Sequence, residues 1–182
     1  MQLEKTFIAD LVVLSPAVFE DERGYFFEGY NKSRFADLGI RVDFVQDNQS
    51  FSKKGTLRGL HYQNPPFAQT KLVRVLEGEI MDVAVDLRKD SPTFGQHFSI
   101  VLSSENKKQL LVPQGFAHGF SVLSETAVVL YKCDHYYNKE SEGGIRHDDS
   151  DLNIDWGMEL KDAIVSEKDA VLPVFAHCNS QF

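Results

Sequence analysis

The chain is poor in the features that mark most function classes. Only two cysteines, Cys133 and Cys178, occur in 182 residues. Neither stands in a CxxC or metal-ligand spacing, and two thiols in a chain of this size do not make a disulfide framework. No apolar run is long enough to span a bilayer: the N-terminal stretch MQLEKTFIADLVVLSP is interrupted by Asp10, which argues for a cytoplasmic protein. Positive charge is in deficit, with 19 Lys and Arg against 27 Asp and Glu and a formal net charge of -8. No basic field therefore exists to neutralise a nucleic-acid backbone, although a few local Arg and Lys suffice for a small phosphorylated ligand. GxGxxG, Walker, HExxH, GxSxG and EF-hand patterns are all missing, which weakens dinucleotide, NTPase, zincin, esterase and calcium readings. Internal repeats and Pro/Gly/Ser linkers are missing too, so one domain over 1–182 is expected.

What the chain does have is strand. Its 42% hydrophobic and 25% charged residues suit a soluble globular protein. KLVRVLEGEIMDVAVDLR alternates with period two, placing Met81, Val83, Val85 and Leu87 on one face and Ile80, Asp82, Ala84 and Asp86 on the other, with Gly78 at a hairpin turn. QHFSIVLS, KKQLLVP, GFSVLS and TAVVLYKCDHYY read as further strands, separated by turn segments such as SPTFG and SSEN. Helical signals are few: SRFADLG, opened by Ser33 as cap and closed by Gly39, and another near the C-terminus. This pattern predicts an all-β protein, a sandwich or jelly-roll β-barrel with a few short helices. Function then turns on which polar side chains point into its mouth.

GTLRGLHYQ, residues 55–63, sets His61 in a strand. Such a histidine is a metal ligand, a proton-transfer base, or a core residue satisfied by a backbone carbonyl. PQGFAHGF at 113–120 resembles the second motif of the cupin superfamily, with Pro113, Gly115 and His118 in place. Many cupins bind a metal there. In the first cupin motif, however, Gln63 stands where a second histidine belongs and the following glutamate is missing. Two histidines make a poor site for a divalent ion that wants three or four protein ligands, so no metal is expected. His61 is left to acid–base chemistry or to structure.

DERGYFFEGYN, FVQDNQS, LRGLHYQ, KLVRVLEGEIMDVAVDLRKDSPTFG, VPQGFAHGF, LYKCDHYY and SEKDA stand together in one order. Over nearly its whole length the chain resembles the dTDP-4-dehydrorhamnose 3,5-epimerase family, most specifically in RGLHYQ and in SPTFG followed by PQGFAHGF. The resemblance implies a cupin-like jelly roll, no metal or cofactor, a dTDP-4-keto-6-deoxyhexose substrate, and a homodimer with exchanged N-terminal strands. The reaction it implies removes the protons at C3 and C5, beside the 4-keto group, and returns them to the opposite face; some similar enzymes invert one centre only. Such carbon acids need a base, a group that stabilises the enolate oxygen, and a proton donor across the ring.

By resemblance His61 is the base and Asp169 the carboxylate that pairs with it. A paired imidazole is fixed in orientation and its protonated form is stabilised. Lys71 matches the group beside the keto oxygen and Tyr131 the donor on the far face. Each has a plainer reading from the residues alone. His61 fits a buried structural histidine, Asp169 forms an S-x-x-D capping box with Ser166, Tyr131 fits a barrel-wall aromatic, and Lys71 fits a solvated edge charge. Arg23, Arg58 and Lys168 match groups for the pyrophosphate and sugar oxygens. Glu28, Gln46, Asp47, Asn48, His118 and Glu142 match polar contacts to base and sugar, and Tyr137 the aromatic that stacks on thymine, although alone it reads as an exposed strand-end tyrosine. In an exchanged dimer Arg23 and Glu28 serve the partner's site.

Overall fold

Period-two alternation becomes two antiparallel sheets with a core between them. The computed structural model describes residues 1–182. Along the chain run β1 (Gln2–Lys5), β2 (Val12–Ser15), β3 (Val18–Asp21), β4 (Gly24–Phe27), α1 (Lys32–Asp37), β5 (Gln46–Lys53), β6 (Leu57–Gln63) and β7 (Lys71–Glu77). There follow β8 (Glu79–Asp86), β9 (His97–Ser103), β10 (Gln109–Val112), β11 (Phe116–Val122), β12 (Thr126–Cys133), β13 (Glu142–Gly144) and α2 (Glu167–Ala170). One sheet has the order β1-β2-β10-β7-β12-β5, the other β13-β6-β11-β8-β9, and β3–β4 forms a separate hairpin. The all-β expectation holds, with one correction: no strand pairs across from one sheet to the other, so the barrel does not close.

The two faces of β8 separate as the alternation requires. Ile80 and Ala84 enter the core between the sheets with Val73, Val75, Leu110 and Phe116. Val83, Val85 and Leu87 meet Ile145, Leu152 and Trp156 of the C-terminal segment, which covers the back of the five-stranded sheet. A third cluster puts Phe35 of α1 against Val12, Leu14, Leu72 and Leu111, on the outside of the six-stranded sheet. Ser33 is not the cap of α1. Asn31, extended at φ -148, accepts from the backbone N–H of Ser33 at 3.0 Å and of Arg34 at 3.2 Å. The residue outside the helical dihedrals takes the capping role, and here that is two positions earlier. Between β7 and β8, Gly78 has φ +79, and a Cβ there would strike the Thr126 carbonyl.

Past β8 the chain turns a corner on one carboxylate. Asp86 is wholly buried and accepts bonds from Arg88, Ser91 and Thr93. These are residues of the DLRKDSPTFG run. Burial works to raise the Asp86 carboxyl, but these hydrogen bonds outweigh it and hold it at about 2.

Candidate active site

A cavity of about 700 Å³ lies between the sheets, where β5 of one faces β6 of the other, and residues 164–169 form part of its wall. Strict alternation along β6 would put Arg58 and His61, three residues apart, on opposite faces. The β6–β11 pairing instead shifts register between His118 and Phe120, opposite Gly59 at φ +119. Leu57, Leu60 and Tyr62 then face the back core, while Arg58 and His61 both line the cavity. Only glycine fits there: a Cβ on it would lie 2.6 Å from Gly119 Cα and 2.8 Å from the His118 carbonyl.

His61 Nε2 sits 2.7 Å from Asp169 Oδ1, and the Asp169 side chain is 5% exposed against 30% for His61. The second carboxylate oxygen accepts from the Gly59 N–H at 3.2 Å. Ser166 does cap α2, accepting from the Asp169 N–H at 3.1 Å. The capping reading thus holds for the backbone of Asp169, while its carboxylate turns to His61. Burial pushes that carboxyl up, yet the bonds from His61 and Gly59 and the Lys168 charge prevail and keep it below the usual carboxylate range. A fixed anion therefore orients the imidazole, leaving Nδ1 for the cavity.

Lys71 is no edge charge, because β7 runs between β10 and β12. Burial holds its ammonium below the ordinary lysine range, with Cys133, Asp82 and Glu142 acting in opposition. It forms no hydrogen bond within the chain, and Nζ stands 5.9 Å from the centre of the Tyr131 ring. Tyr131 shares the cavity wall, and burial raises its phenol. Beyond it on the same strand, burial pushes the Cys133 thiol up to about 11, which disfavours the thiolate form.

His118 lies directly opposite His61 in the β6–β11 register. Its Nε2 is 2.8 Å from Asp82 Oδ1, the pair being 7% and 0% exposed. Asp82 was not a candidate from the sequence, although its place on the inner face of β8 was a visible signal. Gln63, standing where other cupins have a ligand, is engaged elsewhere: its amide donates to the Phe67 carbonyl and accepts from the Asn138 N–H. With each histidine bonded to its own carboxylate and no group of three His, Cys, Asp or Glu side chains able to hold an ion, these residues do not fit a cupin metal.

A smaller cleft of about 170 Å³ adjoins the cavity and shares His61, Lys71 and Tyr131 with it. Gln46, Asn48, Tyr137 and Glu142 also line it. Glu142 receives Tyr137 Oη at 3.0 Å and Lys168 Nζ at 2.5 Å. Burial raises the Glu142 carboxyl, but these two donors bring it below its ordinary value. Three candidates are not brought to either cavity. Asp47 falls on the outer face of β5 and pairs with Lys132 at 2.8 Å. Arg23, in the β3–β4 turn, is 85% exposed and pairs with Asp21. Glu28 bonds Asn31 and Arg34 on the surface.

Residues 5–177 match the dTDP-4-dehydrorhamnose 3,5-epimerase family. The chain belongs to that family. Against the dTDP-4-dehydrorhamnose 3,5-epimerase of Salmonella typhimurium it is 54% identical over 171 residues, 93% of either chain. The crystal structure of the dTDP-4-dehydrorhamnose 3,5-epimerase from Elizabethkingia anophelis superposes with a TM-score of 0.93 at 57% identity, covering 97% of both chains. That of the dTDP-6-deoxy-D-glucose-3,5-epimerase from Legionella pneumophila, in complex with dTDP-4-keto-L-rhamnose, gives 0.93 at 48% identity over 97% of this chain and 93% of that one.

Proposed function

We propose that this family member inverts C3 and C5 of dTDP-4-dehydro-6-deoxy-D-glucose, yielding dTDP-4-dehydro-L-rhamnose, with His61 as base and Tyr131 as acid. The observation that carries the assignment is the buried Asp169 carboxylate on His61, in one cavity with a lysine and a tyrosine whose polar ends bond nothing in the chain. Nδ1 of His61 takes the proton from the carbon beside the keto group. The electron pair moves onto the keto oxygen as an enolate, and the Lys71 ammonium stabilises that charge. Tyr131, kept protonated by burial, delivers a proton to the opposite face, and solvent resets both groups. The second carbon flanks the same keto group and repeats the cycle.

Arg58 and Lys168 suit the diphosphate, and Tyr137, 56% exposed beside Gln46 and Asn48, suits the thymine ring. A homodimer in which the β3–β4 hairpin enters the partner explains three features at once. Phe19 and Phe26 on that hairpin are 66% and 70% exposed, and Arg23 and Glu28 lie outside their own chain's cavity. No helix is long and apolar enough to cross a membrane, and a nucleotide-sugar substrate suits a cytoplasmic enzyme.

Turnover in D₂O tests the reaction. NMR of the product should show deuterium at both C3 and C5. Label at one carbon would establish a single-centre epimerase instead, and label at neither would exclude proton abstraction.

A further inference from the structure

Arg58 reaches the cavity from β6, and its guanidinium is held from behind. Nε donates to Ser52 Oγ at 3.0 Å, and one terminal nitrogen reaches the Phe51 carbonyl at 3.4 Å. Both acceptors belong to β5, the last strand of the six-stranded sheet, whereas Arg58 belongs to the five-stranded one. The bonds therefore span the corner at Lys54–Thr56, where the chain passes from one sheet to the other. Ser52 is only 4% exposed and stands on the inward stripe of β5 that begins with Gln46 and Asn48. No carboxylate of the chain pairs with Arg58, so its charge is uncompensated beside the cavity. A guanidinium bound through Nε keeps a second N–H edge free, and that edge fits two oxygens of a phosphate.

We propose that Ser52, itself on the cavity wall, is a positioning residue for the diphosphate of the bound nucleotide: it acts through Arg58, its buried hydroxyl fixing the guanidinium plane so that the free edge meets phosphate oxygens. The inference rests on the reading of Arg58 as a diphosphate contact. Without the hydroxyl, Arg58 keeps its charge and loses its orientation, and ordering the side chain then opposes binding. The loss falls on affinity, since the reacting carbons are served by other residues.

Calorimetric titration with dTDP, alongside steady-state kinetics, tests this on the full-length protein at temperatures well below each variant's unfolding midpoint. Ser52→Ala should weaken dTDP binding about tenfold and raise KM similarly, with kcat within about twofold. Ser52→Thr, which restores a hydroxyl on a strand-compatible side chain, should recover most of the affinity. Arg58→Gln should bind dTDP more weakly than Ser52→Ala. If Ser52→Ala binds like the parent while Arg58→Gln is impaired, Ser52 is structural and the inference fails, with the Arg58 reading intact. If Arg58→Gln also binds like the parent, the diphosphate reading of Arg58 fails and takes the inference with it. Equal losses in Ser52→Ala and Ser52→Thr would mean that packing, not the hydroxyl, matters at this position.

Discussion

Asp169 serves two structures with two parts of one residue. Its N–H closes the first turn of α2 on Ser166, and its carboxylate, 108 positions from His61 in the chain, orients the imidazole. The variants His61→Asn and Asp169→Asn separate these parts. His61→Asn removes the base and should lower kcat by about 10²–10⁴-fold while dTDP still binds. Asp169→Asn leaves the backbone cap in place, so the unfolding midpoint should shift little. Its amide, however, offers no fixed anion to His61, and kcat should fall strongly, as tautomer and orientation are lost. Calorimetry with dTDP and steady-state kinetics on both variants make the check. An Asp169→Asn enzyme with near-normal kcat would reduce Asp169 to a capping residue.

At the scale of elements, one local device aims the site and a second fixes a corner of the fold. The first is the irregularity at Gly59, which reverses the phase of β6 so that Arg58 and His61 share a face. The second is the corner after β8, where Asp86 gathers Arg88, Ser91 and Thr93. Because the folded state holds Asp86 at about 2, against an ordinary 3.8, its contribution is full above pH 4 and fades as pH falls towards 2. The shift corresponds to about 2 kcal/mol. Asp86→Asn should therefore be less stable than the parent by about that amount at pH 7, and the gap should close in urea melts carried down to pH 2.5. A gap that stays constant with pH would assign the loss to packing instead of charge.

For the whole molecule, the question is which chain completes each site. If Arg23 acts on the partner's cavity, Arg23→Ala and His61→Asn proteins are each impaired, yet a mixed dimer contains one site with both native residues. Refolding the two together in equal amounts should restore about a quarter of the parent activity. Light scattering should report twice the 20.6 kDa of a single chain. Mixtures no more active than their components would place Arg23 in the service of its own chain, or of neither.

Strand content, the β7–β8 hairpin with Gly78 at its turn, and the two faces of β8 were legible in the sequence because alternation is a local property that the pleat preserves. The motif set likewise named the four residues that meet in the cavity. Other features were settled only by packing. Asp169 meets His61 because the C-terminal segment, whose turns carry no periodic signal, supplies part of the cavity wall that His61 faces. Arg58 joins His61 because one register shift overrides the alternation on which the sequence reading depends. Asp47 was grouped with Gln46 and Asn48 as one motif, and the pleat sends its side chain to the opposite face. Asp82 found its partner His118 across β8 and β11, a pairing that exists only once the strands are ordered in a sheet. Periodicity acts over a few residues and these contacts span tens to a hundred, so they wait on the order of the strands and on the segment that seals them.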